Sequence, residues 1–283
     1  MDRIRTALDR ARVERGHTGE NFRADRGVQP STAEIGVGAK PAASAAHAAP
    51  APIVYTKTRV FSPSARTLEA NRIMNPASSD QGAAAFRMLR TQVLQRMDAN
   101  EWRSLAIFSA TPKDGKTTTA INLAVSLAND RLHSVLLVDF DFKRPTLAAR
   151  IGLTPELGSD DALCGNAGIE DSLYHPQGFD RLVVMPARNA LLNSSELLAG
   201  PRSREIVAEL RARYPERVIL YDLPPVLSAD DALAFAPLVD CGLVVAAEGR
   251  TRRNDLVRTI ELLHKTPLVG TVLNRASEAS GSY

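Results

Sequence analysis

From Trp102 onward the chain alternates short, continuous apolar runs with longer amphipathic stretches. The runs LAIFSA, SVLLVDF, RLVVMPA, RVILYD, GLVVAA and LVGTVL lack polar alternation, so they predict strands buried on both faces of a parallel sheet. The segments between them predict crossover helices, two of them marked by KTTTAINLAVSLAN at 116–129 and RSREIVAELRAR at 202–213. A third, over 254–264, puts Leu256, Ile260 and Leu263 on one face. Ahead of the first run, Phe86, Leu89, Val93 and Met97 recur at helical spacing within 81–97 and predict a helix leading into the fold. Strands alternating with helices give an α/β fold, a doubly wound, mostly parallel sheet with helices on both faces. No internal repeat accompanies it.

The pattern fails upstream of residue 80. Residues 1–16 read as a short basic helix, which Gly16, Gly19 and Gly27 prevent from continuing. The tract AKPAASAAHAAPAP holds too few large apolar side chains to offset its chain entropy, which makes it a linker. Residues 53–79 hold Tyr55 and Phe61 but show no periodicity. The expected organisation is a largely disordered basic segment over 1–79, a folded domain over 80–276 and a flexible tail over 277–283.

Charge divides at the same place. Residues 1–79 contain 12 Lys and Arg against 7 Asp and Glu, whereas residues 80–283 contain 23 against 25. The folded part is therefore slightly acidic and is not expected to bind nucleic acid. Any attraction to an anionic membrane surface belongs to the leading segment. Cys164 and Cys241 form neither a metal-spacing motif nor a disulfide framework, which fits a reducing, cytoplasmic setting. No run approaches the ~20 apolar residues that span a bilayer, and the charged opening does not read as a secretory signal. A place at the inner face of the plasma membrane would need a partner.

The chemistry concentrates at the ends of three apolar runs. The strand SLAIFSA leads into ATPKDGKTTTA and then a helix, the context of a P-loop, where backbone N–H groups and a helix N-terminus cradle phosphate oxygens. Ala110, Thr111, Pro112, Lys113, Asp114, Gly115, Lys116, Thr117 and Thr118 form this candidate loop, which makes the expected fold that of a P-loop NTPase. Lys116 is expected to reach the β- and γ-phosphates of ATP, and the Thr117 hydroxyl to coordinate Mg²⁺. Ala110 stands where the strict pattern has Gly, and the charged pair Lys113-Asp114 reads as a solvated loop tip. A second run ends in Asp139 and Asp141 (LLVDFDFKRP) and a third in Asp222 (VILYDLPP). Carboxylates at the C-terminal ends of parallel strands line the crevice where ligands bind. Phosphoryl transfer needs an acidic residue to hold the metal, and Asp222 fits that role.

Together, ATPKDGKTT, LLVDFDFKRP and VILYDLPPVLSADDA resemble the Walker A, A′ and Walker B motifs of the bacterial tyrosine kinases that govern capsular and exopolysaccharide synthesis. Those kinases are related to the partitioning and septum-site ATPases, which usually carry a lysine where this chain has Thr111. The resemblance covers roughly residues 80–276. It includes Asn193-Ser194-Ser195-Glu196-Leu197-Leu198, similar to the kinases' Asn-Pro-x-Glu-Leu-Leu signature. It implies an ATP- and Mg²⁺-dependent tyrosine autokinase in which Lys116, Asp139 and Asp141 are catalytic, Thr117, Asp139 and Asp222 hold the metal, and Asn274 contacts the adenine. It also implies a homo-oligomer activated by a transmembrane polysaccharide chain-length regulator (Wzz-like). Asp231 matches a family aspartate, with a helix N-cap as the alternative.

Three departures accompany the match. The family's Glu and two Arg at three-residue intervals on the lead-in helix are here Ala84, Arg87 and Arg90. Its C-terminal tyrosine cluster is reduced to Tyr283, the candidate phosphoacceptor; Tyr55 is a second candidate, and Tyr174, Tyr214 and Tyr221 read as packing residues. No membrane helix is present in the sequence. These departures keep two alternatives open: an ATP-dependent switch or scaffold of the synthesis complex without tyrosine transfer, and a positioning ATPase that uses the basic segment on DNA or membrane.

Overall fold

Successive side chains of a strand point to opposite faces, so strands that are apolar throughout need a layer of helices on each side. The computed structural model describes residues 58–75, 81–130, 132–213 and 216–276. Its strands are β1 (Arg59–Phe61), β2 (Ser104–Ser109), β3 (Ser134–Asp139), β4 (Tyr174–Pro176), β5 (Leu182–Met185), β6 (Arg217–Asp222), β7 (Cys241–Ala247) and β8 (Leu268–Asn274). They form one sheet in the order β1-β4-β5-β3-β6-β2-β7-β8. Its pairs are parallel except for the antiparallel β4–β5 contact. The six strands expected from the apolar runs are all present.

The helices are α1 (Ala65–Ala70), α2 (Gln81–Ala99), α3 (Lys116–Ala128), α4 (Leu147–Ile151), α5 (Ser159–Leu163), α6 (Ser194–Ala199), α7 (Pro201–Arg213), α8 (Asp231–Phe235) and α9 (Arg253–Leu262). Leu105, Ile107, Leu137 and Leu220 share one core with residues of α2, α3 and α4. Phe108, Leu136, Val138 and Tyr221, one step out of phase, share the other with α5 to α9. Val93 and Met97 are buried on α2, and Phe86 and Leu89 pack partly buried beside them, as their spacing predicts. Gly242 on β7 marks a close approach, because a Cβ there would lie 2.5 Å from the Phe108 ring.

This strand order positions the site. β2 lies between β6 and β7, so the loop after β2 opens at the middle of the sheet. β3 lies beside β6 with Asp139 directly opposite Asp222. All three motif-bearing strands therefore end together on one edge.

Two findings differ from the sequence reading. First, the fold extends upstream of the boundary expected at residue 80. β1 pairs with β4, Ser64 caps α1 by accepting the Thr67 N–H, and Ile73 is buried in the core. The side chain of Asn122 on α3 donates to the Arg72 carbonyl (2.9 Å) and accepts the Met74 N–H (2.8 Å), which ties this segment to the fold. Strands of three residues are too short to show a period, which is why β1 and β4 were invisible. Second, Ile260 is 39% exposed. The inner stripe of α9 runs through Leu256, Thr259 and Leu263; Thr259 is accepted there because its hydroxyl donates to the Asp255 carbonyl.

Tyr174 and Tyr221 are buried, as packing residues should be. Tyr55, Tyr214 and Tyr283, with the rest of 1–57 and 277–283, lie outside the described residues. If residues 58–75 belong to the cooperative fold, Ile73→Ala lowers the unfolding free energy by about 2–4 kcal/mol in chemical denaturation. A domain that began at residue 80 would show no change.

Candidate active site

The P-loop is held open by its own side chains. Gly115 precedes α3 in the left-handed region (φ 95°), where a Cβ would also collide with the Asn274 amide. Lys113 shares that left-handed geometry (φ 70°), whereas Ala110 does not, so no glycine is required at its position. The pair Lys113-Asp114 is not a solvated tip. Lys113 is exposed, but Asp114 is buried, and its carboxylate accepts the Thr111 N–H (2.9 Å) and the Thr111 hydroxyl (3.0 Å). An aspartate that satisfies donors inside its own loop can be buried with a counter-charge only at the limit of an ion pair. The Arg250 guanidinium lies 3.9 Å away and donates to the Pro112 carbonyl.

Lys116 starts α3 and turns its ammonium into the sheet edge. It lies 2.5 Å from Asp222 Oδ1 and 3.4 Å from Asp141 Oδ2, with all three side chains buried. Burial alone would lower the lysine pKa, but the Asp222 and Asp141 charges outweigh it and hold the ammonium above its ordinary value. Asp141 is pushed up by burial, an effect that Lys116 offsets only in part.

The two A′ aspartates occupy different surroundings. Asp139 is fully buried, and its carboxylate accepts the N–H of Asp141 (3.0 Å) and of Leu147 (3.2 Å). Burial, followed by the Asp222 and Asp141 charges, raises its pKa well above the carboxylate range. Asp141 instead lines the cavity beside Lys116.

That cavity, about 1250 Å³, is lined by the loop from Pro112 to Thr118, by Asp141 and by Asn274. Asn274, at the end of β8, donates to the Asp114 carbonyl (2.9 Å) and so forms the wall on the β7–β8 side. Asp231 is the first residue of α8, one past the N-cap position that Asp230 occupies, and neither of its carboxylate oxygens has a hydrogen-bond partner. Its buried carboxylate instead lies 3.7 Å from the Lys143 ammonium. Basic side chains to which the sequence reading gave no role complete the lining: Arg72, Lys143, Arg144, Arg150 and Arg275. Lys143 and Arg144 stand within LLVDFDFKRP and were legible there; Arg72, in the turn after α1, and Arg150, in the last turn of α4, carry no spacing signal.

The residues present fit a magnesium-bound nucleotide. Asp222 Oδ2 is buried with no hydrogen-bond partner, and Thr117 stands one residue past Lys116 with a hydroxyl to offer. No acidic cage of three or more side chains exists among the described residues. Mg²⁺ is commonly held by one or two carboxylates together with substrate phosphates and water, and a nucleotide would supply those phosphates.

Comparison with known proteins agrees with this geometry. A family model for the CobQ/CobB/MinD/ParA nucleotide binding domain matches residues 105–282. Tyrosine-protein kinase YwqD of Bacillus subtilis is 27% identical over 209 residues, covering 73% of this chain and 86% of that kinase. Succinoglycan biosynthesis transport protein ExoP of Rhizobium meliloti is 34% identical over 213 residues, which is 72% of this chain but 26% of that longer protein. The solved kinase domain of the Escherichia coli tyrosine kinase ETK has a TM-score of 0.64 at 27% identity, covering 77% of this chain and 84% of that one. With most of its sheet and its whole P-loop inside the matched region, the chain belongs to the CobQ/CobB/MinD/ParA nucleotide-binding family, and its kinship there runs to the bacterial tyrosine kinases.

Proposed function

We propose that this chain is an ATP-dependent protein-tyrosine autokinase that regulates polymerisation and export of an exopolysaccharide or capsule. The observation that carries this reading is Asp141, a carboxylate that lines the nucleotide cavity 3.4 Å from the P-loop lysine. A tyrosine hydroxyl is a weak nucleophile at neutral pH, and a carboxylate at this place can accept its proton. As the phenol oxygen bonds to the γ-phosphorus, the bond from that phosphorus to the bridging oxygen breaks, and ADP leaves with the electron pair. Lys116 stabilises the charge that builds on the phosphoryl oxygens. Asp139 holds the Asp141 and Leu147 N–H groups, so it fixes the A′ loop from beneath. Mg²⁺, held by Thr117 and Asp222, would neutralise phosphate charge when bound. Asn274 offers the adenine contact.

Tyr283 is the candidate acceptor in this reading, since it stands seven residues along the sequence from Ala276, which lines the cavity. No helix among the described residues is long and apolar enough to cross a membrane. A transmembrane chain-length regulator would then bring the kinase to the cytoplasmic face of the membrane and activate it, and the chain would work as a homo-oligomer. Of the arginines retained on α2, Arg90 donates within the same chain to the Ser126 carbonyl, while Ala84 is exposed. The kinship with a tyrosine kinase and with a polysaccharide transport protein favours this reading over a positioning ATPase.

Labelled ATP should place phosphate on tyrosine in the purified full chain supplied with its membrane regulator. Lys116→Met and Asp141→Asn should each reduce that transfer about a hundredfold or more. Nucleotide-dependent assembly without phosphotyrosine would leave the switch or scaffold in its place.

The raised carboxylates also give metal-free protein a pH dependence of definite sign. Asp139 and Asp141 bind protons more tightly folded than unfolded, so stability falls as pH rises from the ordinary carboxylate value near ~4 through their raised values. Asp240, whose pKa is lowered although burial alone would raise it, is ionised in both states above that range and adds no slope there. Urea midpoints measured upward from about pH 5 should decline for the wild type and flatten in Asp139→Asn. Saturating Mg²⁺ and ATP, which favour the ionised carboxylates, should oppose the decline.

A further inference from the structure

The turn after α1 places an arginine where glycine is the usual residue. The Arg72 N–H donates to the Glu69 carbonyl (2.9 Å) and the Ile73 N–H to the Leu68 carbonyl (2.8 Å), the two bonds of a Schellman motif. Leu68 and Ile73 pack together in the core, completing it. The residue between them must be left-handed, and Arg72 has φ 57°. Glycine adopts that conformation without the Cβ penalty, so the turn itself gains nothing from arginine. An outlier of this kind points to a use for the side chain.

The surroundings of Arg72 indicate what that use is. Arg72 lines the same cavity as Lys116, Thr117 and Thr118. The two-point clamp from Asn122 holds residues 72–74 against α3, one turn along from Thr118. Arg150 donates to the Thr118 hydroxyl (3.0 Å), and its Nε is buried without a partner. α1, which the Arg72 turn follows, and α4, which carries Arg150, meet where Thr67 faces Gly152. No ion pair engages the Arg72 guanidinium among the described residues. Two guanidinium groups beside a P-loop helix suit phosphate oxygens, which they bind through forked N–H donors.

We propose that Arg72 and Arg150 form a subsite in cis for the phosphate chain of the bound nucleotide, along the Thr118 side of α3. This rests on the nucleotide-binding reading given above and adds to it a segment that precedes the family-matched residues 105–282. Phosphate held there ties β1 and α1 to the P-loop helix, so occupancy of the cavity steadies the upstream segment.

The test is titration of the full chain with a fluorescent ATP analogue in Mg²⁺, alongside thermal unfolding of the nucleotide-free protein. Arg72→Gly should weaken binding about tenfold, the loss of one charge-assisted contact, while its unfolding midpoint stays level or rises. Arg72→Gln, which keeps the left-handed side chain but not the charge, should weaken binding similarly, and Arg72→Lys should restore part of it. Wild-type affinity in both Arg72→Gly and Arg72→Gln overturns the proposal. A Lys116→Ala control separates the levels: if it too binds normally, the nucleotide reading itself fails, and if it alone loses binding, only the Arg72 subsite fails.

Discussion

The site depends on one buried ammonium group. Lys116 is withdrawn from water and lies between Asp222 and Asp141. Moving a lysine charge into a protein interior costs several kcal/mol, and only well-placed opposite charges offset that cost. Each partner comes from the end of a different element: Lys116 from the start of α3, Asp222 from the end of β6, Asp141 from the turn after β3. The three meet because β3 pairs with β6 and β6 with β2. The sheet register is thus a condition for neutralising the lysine. A nucleotide entering the cavity would meet the ammonium already positioned, with little left to reorganise.

The aspartates around this group divide the work by burial. Asp139, opposite Asp222 in the sheet, is wholly enclosed and has both oxygens committed to backbone N–H groups. Asp141, two residues on, has left the strand and borders the cavity. Asp114 performs for the P-loop what Asp139 performs for the A′ loop, holding Thr111 through two donors. Asn274 and Arg250 brace the same loop from the β7–β8 side, through the Asp114 and Pro112 carbonyls. Two buried carboxylates therefore shape the loops, and the two beside Lys116 are left for the chemistry.

Much of the fold was legible because fully apolar strands and helical spacing are strong signals. LAIFSA, SVLLVDF and RVILYD gave the central strands, and the aspartates that end two of them gave the acidic edge. β1 and β4 were hidden because three residues cannot display a period. Asp114 was misread because a charge in a loop is usually solvated, and nothing in the sequence shows that Thr111 supplies its donors. The separate parts of Asp139 and Asp141 were also hidden, since their spacing is the same whichever of them faces the cavity. Arg72 and Arg150 carried no signal at all. Their place follows from α1 packing on α4, a contact between segments about 80 residues apart that no local pattern encodes.

Everything at this edge of the sheet follows from the Lys116 cluster being a magnesium–nucleotide site. The direct measurement is calorimetric titration of ATP into the full chain with and without Mg²⁺, for the wild type and for Asp222→Asn. Mg²⁺ should tighten ATP binding in the wild type, and Asp222→Asn should lose this dependence while remaining folded. ATP binding that is indifferent to Mg²⁺ in the wild type, or a magnesium effect that survives in Asp222→Asn, would contradict a magnesium–nucleotide site there.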